Sequence, residues 1–153
     1  MVRKIECRAL SPLLGNQIPF PAYATSGSAG LDLRACIEEP VVLLPGDTEL
    51  IGTGLAVNML DSGLFGMVVP RSGLSLKHGI GLKNMVGVID SDYQGEIKIP
   101  CWNHGRETYT IQPGERICQL LFVPVEQVAL KTVAAFSGVT DRGLGGFGHT
   151  GKV

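Results

Sequence analysis

Four turn signatures punctuate this chain between short β-prone runs. They are Leu44-Pro45-Gly46-Asp47, Asp61-Ser62-Gly63, Asn103-His104-Gly105 and Gln112-Pro113-Gly114-Glu115. Proline presets φ for a turn, glycine supplies φ values other residues avoid, and Asp or Asn closes the turn with its own side chain. Around these signatures lie β-prone runs at 2–9, 31–37, 41–44, 48–57, 65–69, 86–89, 95–102, 107–112, 116–123 and 127–133. In one of them Glu96-Ile97-Lys98-Ile99 alternates polar and apolar, as a half-buried strand does. About ten short strands at this spacing predict an all-β fold: an antiparallel sandwich, jelly roll or barrel. The one helix expected is a short one over 72–77. With 21 glycines and 9 prolines in 153 residues, the chain carries about a fifth of these two types against about 12% on average, which fits a protein built of turns.

The length suits one domain, and 44% hydrophobic against 18% charged residues supports a packed core rather than disorder. From Ser137 onward glycine dominates and apolar periodicity stops. The division expected is a β-rich core over 1–136 and an arm outside it over 137–153. A net charge of −1 lacks the basic surplus of a nucleic-acid binder, but leaves a small polyanion such as a nucleotide open. Cys7, Cys36, Cys101 and Cys118 contain no Cys-x-x-Cys pair, and the three histidines form no His-Glu-x-x-His, which argues against zinc. No apolar stretch approaches the roughly 20 residues of a membrane span. The first residues show no apolar leader. A cytoplasmic protein with reduced, mostly buried thiols is the expectation.

Near the end, Arg142-Gly143-Leu144-Gly145-Gly146-Phe147-Gly148-His149-Thr150-Gly151 contains Gly-Leu-Gly-Gly-Phe-Gly, a literal Gly-x-Gly-x-x-Gly. A dinucleotide loop must follow a strand and open a helix within a βαβ unit, with an acid roughly 20 residues later. Three residues follow Thr150, and no helix can begin there. The match is accidental.

Four other stretches hold chemistry-bearing residues. Pro70-Arg71-Ser72-Gly73-Leu74 ends an apolar strand with a guanidinium, a hydroxyl and backbone N–H groups: either an oxyanion site or an ordinary turn. Gly87-Val88-Ile89-Asp90-Ser91-Asp92-Tyr93 sets acids between two strands. Asp90 could orient and deprotonate a water, the Asp-x-Asp pair could hold a divalent cation, or both could serve only the turn. Asp32, within the apolar strand pattern of Ser28-Ala29-Gly30-Leu31-Asp32-Leu33-Arg34, needs a partner: an Arg such as Arg34 or Arg116, a cation, or another subunit. Gln119, among the apolar residues of 116–122, must be satisfied by backbone or by a ligand oxygen.

Their order along the chain is more specific than any one of them. Ser28-Ala-Gly-Leu-Asp-Leu-Arg-Ala35, Pro70-Arg-Ser-Gly-Leu-Ser-Leu-Lys-His-Gly-Ile80, the stretch from Gly81 through Asp90 and Tyr93 to Ile97, Gly114-Glu-Arg-Ile-Cys-Gln-Leu-Leu-Phe122 and the glycine-rich end follow one another over 28–151. In this the chain resembles the trimeric dUTPases, deoxyuridine triphosphate nucleotidohydrolases, and the bacterial form in particular. The resemblance implies a jelly-roll-like fold and a homotrimer with active sites between subunits, each completed by the 137–153 arm of a neighbour. It implies Mg²⁺-dependent conversion of dUTP to dUMP and diphosphate, which keeps uracil out of DNA and supplies dUMP for dTTP synthesis.

Residue by residue, the resemblance gives Asp90 the role of water-activating carboxylate. Arg71, Ser72, Gly73, Gln119 and Arg142 become phosphate contacts, with His149 or Thr150 at the γ-phosphate; His149 stands where many relatives carry Ser or Thr. Tyr93 would lie under the deoxyribose, where it leaves a 2′-hydroxyl clashing and so rejects UTP. Asn84 and the strand containing Ile97, Lys98 and Ile99 would read uracil, and Phe147 would stack on the base. Asp32 would hold the Mg²⁺ through water. The partners implied are dUTP and dUMP, with neither nucleic acid nor membrane. A dCTP deaminase of the same fold should lack both the Asp-x-x-Tyr turn and the Gly-Phe-Gly arm. A silent nucleotide-binding regulator would have no need of Asp90, and a purely structural β domain no need of five ligand motifs.

Overall fold

The computed structural model describes residues 3–146. Its elements are β1 (Glu6–Ala9), β2 (Leu31–Arg34), β3 (Val41–Leu43), β4 (Thr48–Gly52), β5 (Leu55–Asn58), β6 (Leu64–Pro70), α1 (Ser72–His78), β7 (Ile80–Leu82), β8 (Gly87–Ile89), β9 (Lys98–Asn103), β10 (Tyr109–Ile111) and β11 (Arg116–Pro124). The strands pair as β2-β11-β6-β8, β4-β9-β7, β1-β5 and β10-β3, and every one of these pairings is antiparallel. This is the all-β architecture with one short helix that the turn spacing predicts. His149, Thr150 and Phe147 lie outside the described residues.

One core joins the sheets. Leu33 of β2, Leu43 of β3, Ile99 of β9, Ile111 of β10 and Leu120 of β11 are all sealed from solvent. On β6, Leu64, Gly66 and Val68 face inward while Phe65, Met67 and Val69 are half exposed, the period-2 alternation of a strand with one wet face. Helix α1 follows β6 immediately. Leu74 is its buried residue, and Gly79, at φ 67°, ends it by returning its N–H to the Ser75 carbonyl. Glycine is required there: a Cβ at Gly79 would lie 2.4 Å from the Cα of Gly105.

Three expectations are corrected. The run 48–57 is two strands, because Gly54 takes φ 66° and turns the chain from the β4 sheet into the pairing of β5 with β1. Ile80-Gly81-Leu82 is a strand that its brevity and central glycine concealed, and all three residues are buried. The run 127–133 forms no strand. No described strand lies beside it, so its backbone has no ladder to join, and Val128 and Leu130 are 75% and 96% exposed. From Val125 to Gly146 the chain contributes to no sheet.

Candidate active site

Strands β2, β11 and β6 lie side by side and bring four polar residues to one end of their sheet. In register, Gln119 of β11 sits between Asp32 of β2 and Val69 of β6. Arg71 follows the last residue of β6, and its Nε donates to Asp32 Oδ1 at 2.9 Å. Arg116, at the start of β11, donates to Asp32 Oδ2 at 3.1 Å. A bulge between Arg116 and Cys118 shifts the β2–β11 register there, and bulges of this kind re-aim a side chain toward a site. Arg71 also donates to the Arg116 carbonyl at 3.4 Å. Gln119 Nε2 donates to the Pro70 carbonyl at 3.2 Å, and glycine at position 30 leaves room for its Oε1, which a Cβ would meet at 2.8 Å.

The cluster therefore holds one carboxylate and two guanidinium groups, a net charge of +1, with Asp32 and Arg71 about a quarter exposed and Arg116 nearly half. Asp32 takes one of the arginines its sequence position suggested, Arg116, and adds Arg71. Arg34 instead donates to the Gly114 carbonyl at 2.7 Å. Ser72 and Gly73 are exposed beside the cluster, and nothing lies within 4 Å of where a Gly73 Cβ would stand. Behind it, burial above all, then Cys101 and Asp32, push the Cys118 thiol up against a smaller pull from Arg71, so it is a neutral packing residue.

A second feature stands elsewhere. Leu50, Val88, Ile89, Asp90, Tyr93, Glu96, Ile97 and Lys98 line an open cleft of about 590 Å³. Asp90 directly follows β8 and its carbonyl accepts the Tyr93 N–H at 3.1 Å, closing the turn that sets acid and phenol in one cleft. The Tyr93 hydroxyl donates to the Glu96 carbonyl at 3.0 Å. Lys98 is exposed and Ile97 is 1% exposed. Both backbone groups of Ile97 are already used: its N–H by the Leu55 carbonyl at 2.8 Å, its carbonyl by the Thr53 hydroxyl at 2.6 Å. Ile99 is buried opposite Ile51 and does not line the cleft. Asn84 lies in the exposed turn between β7 and β8, and it too is not among the lining residues.

The cluster and the cleft are far apart within one chain. Strand β8 pairs with the middle of β6, Ile89 facing Gly66 and Gly87 facing Val68, and runs away from the end that Arg71 follows. Asp90 is thus level with Phe65, six residues from Arg71, or roughly 20 Å at the rise of a strand. Arg142 lies farther on; its Nε donates only to its own turn, at the Gly145 carbonyl, 2.9 Å away. Sequence reasoning foresaw Arg116 only as an ion-pair partner and Glu96 only as part of the base-reading strand 95–99, and it missed Thr53 and Leu50. Their contacts depend on pairings across 42 to 84 positions, which no local pattern reveals.

Fold and site together define an antiparallel, jelly-roll-like β protein with a charged cluster and a carboxylate-bearing cleft. The dUTPase family model matches residues 16–151. The chain is 57% identical over 152 residues to the deoxyuridine 5′-triphosphate nucleotidohydrolase of Escherichia coli, covering 99% of each. Among solved structures it is similar to the dUTPase of Staphylococcus bacteriophage 80alpha with dUPNHPP, at TM-score 0.86 and 28% identity over 98% of this chain and 99% of that one. It is also similar to a variant dUTPase of the S. aureus phage phi11, whose structure concerns the coordination of a structural Mg(II) ion, at TM-score 0.77 and 26% identity over 88% and 99%. The chain belongs to the dUTPase family.

Proposed function

We propose that this chain hydrolyses dUTP to dUMP and diphosphate by in-line attack of a water, oriented and deprotonated by Asp90, on the α-phosphorus. Family membership carries the overall reaction. The placement of Asp90 in a cleft with Tyr93 supports its role, since a base must reach its water within about 3 Å while the substrate is held still. Tyr93 would face the deoxyribose, and Lys98 and Asn84 the base. Ile97 would contribute its position rather than its occupied backbone groups, and Ile99 would act from the core behind it.

The triphosphate would lie on the other cluster. Arg71 offers a planar guanidinium for phosphate oxygens, and the +1 balance of Asp32, Arg71 and Arg116 suits an anion. Ser72, Gly73 and Gln119 would add hydrogen bonds. Among the described residues no three potential metal ligands cluster, and Asp32 is the acid that both arginines contact. That set fits Mg²⁺ held through water and by phosphate oxygens rather than in a protein cage. When bound, the ion would neutralise charge on the phosphates.

The backbone positions of Asp90 and Arg71 lie roughly 20 Å apart along β6, which favours a phosphate cluster and a base drawn from different copies. This separation carries the assembly reading: a homotrimer whose sites lie between subunits, with the 137–153 arm of a further copy closing over the nucleotide. Arg142, Phe147, His149 and Thr150 would arrive with that arm. No helix among the described residues is long and apolar enough to cross a membrane, and the reaction would serve a cytoplasmic nucleotide pool. Diphosphate release from dUTP, dCTP, dTTP and UTP, with and without Mg²⁺, tests the assignment. Release confined to dUTP and dependent on Mg²⁺ supports it; ammonia release from dCTP would replace it.

A further inference from the structure

Glu96 borders the nucleoside cleft, yet its carboxylate is turned back onto the link between β4 and β5. Oε1 accepts the Gly54 N–H at 2.9 Å, and Oε2 lies 3.6 Å from Lys98 Nζ. The link is shaped to receive it. A Cβ at Gly52 would come within 2.6 Å of Glu96 Oε1, and Gly54 holds φ 66° with its N–H facing the carboxylate. Two more bonds tie the same link to the next residue, from the Thr53 hydroxyl to the Ile97 carbonyl at 2.6 Å and from the Ile97 N–H to the Leu55 carbonyl at 2.8 Å. Thr53, a polar residue, is only 2% exposed.

These bonds fix the peptide planes of residues 96 and 97, and so fix where the Glu96 carbonyl points. That carbonyl is the acceptor of the Tyr93 hydroxyl at 3.0 Å. The phenol ring lies close over Gly95, where a Cβ would stand 2.5 Å from its oxygen. Without the anchor, the acceptor and the ring would be free to shift together. A shape-based test for one hydroxyl on a sugar fails when its wall moves by about 1 Å.

We infer that Glu96, with Thr53, is a positioning residue that sets sugar specificity by locking the Tyr93 ring through the Gly52-Thr53-Gly54 link. The inference rests on the reading of Tyr93 as the ring that faces the deoxyribose. It assigns Glu96 no contact with substrate.

The test is kcat and KM for dUTP and UTP in Glu96→Ala, Glu96→Gln and Tyr93→Ala, with melting temperatures measured alongside. Glu96→Ala is expected to lower the preference for dUTP in kcat/KM by about tenfold, with dUTP KM raised and kcat within about threefold. Glu96→Gln, whose amide oxygen still accepts the Gly54 N–H, is expected to recover most of that loss. Preference and dUTP KM both unchanged in Glu96→Ala, whatever its melting temperature, would overturn the inference. If Tyr93→Ala loses discrimination and Glu96→Ala keeps it, the positioning role fails while the sugar reading stands. If Tyr93→Ala keeps discrimination, the sugar reading fails, and the anchor is then supported by a dUTP KM raised in Glu96→Ala and restored in Glu96→Gln, or overturned by an unchanged one. Should Glu96→Ala not fold, Thr53→Val takes its place and Thr53→Ser, which keeps the hydroxyl, takes that of Glu96→Gln, with the same outcomes supporting or overturning the anchor.

Discussion

Asp90 and Arg71 are separated along the same strand, β6: Asp90 follows β8, whose last residue Ile89 faces Gly66, and Arg71 follows the last residue of β6. The proposed site, with the acid at the α-phosphorus and the guanidinium at the phosphates, would therefore draw on two copies of the chain. Light scattering is expected to return three times the 16.2 kDa of one chain. An active monomer would contradict the shared site.

Asp90→Asn keeps the side chain's size and removes its basicity. Turnover is expected to fall by about 10³-fold, within the 10²–10⁴ that a positioned base supplies. Binding of a non-hydrolysable dUTP analogue, followed by calorimetry, should change by less than about threefold. Turnover close to that of the parent would remove Asp90 as the base.

Residues 137–146 add nothing to the sheets, and Val139 and Leu144 are fully exposed. Ending the chain at Phe136 should leave the melting temperature nearly unchanged. It should lower kcat/KM by roughly a hundredfold or more, through the loss of a ring on the base and of a lid over the phosphates. Unchanged kinetics would show that the arm has no part in the site.

Cys101 gives a prediction on stability. Burial, with a smaller contribution from Glu115, pushes its thiol from 9.0 up to about 12. The folded state thus holds this proton to higher pH than the unfolded state does. Its stabilising contribution is complete below pH 9 and is lost as pH rises toward 12. Stability should fall over that window by up to about 1.4 kcal/mol per pH unit from this thiol. Cys118 acts in the same direction. Denaturant titrations from pH 8 to pH 11 check it: Cys101→Ala should show the shallower decline, and an equal decline in both chains would count against it.

The legible parts of this protein were those written locally. The four turn signatures marked the junctions β3–β4, β5–β6, β9–β10 and β10–β11, and the Arg71-Ser72 junction announced the helix found at Ser72–His78. The illegible parts depend on which strands meet. Nothing near Asp32 in sequence indicates that Arg71 reaches it, because that ion pair follows from β11 lying between β2 and β6. The 127–133 run has the residues of a strand but no strand neighbour among the described residues. The break at Gly54 was hidden because Thr48 to Val57 is apolar enough to pass for one strand. That break supplies the link on which Glu96 rests. The distance between Asp90 and Arg71 is likewise a matter of register, invisible until β8 is placed antiparallel beside Gly66–Val68 of β6.

The shared site is tested most directly by mixing two inactive chains. Asp90→Asn and Arg71→Ala are each purified, unfolded together in equal amounts, refolded, and assayed for diphosphate release from dUTP. If acid and guanidinium come from different copies, about one site in four in randomly mixed trimers carries both intact, and activity returns to about a quarter of the parent's. If they come from the same copy, every site lacks one of them, and a mixture as inactive as its two components would contradict a site shared between copies.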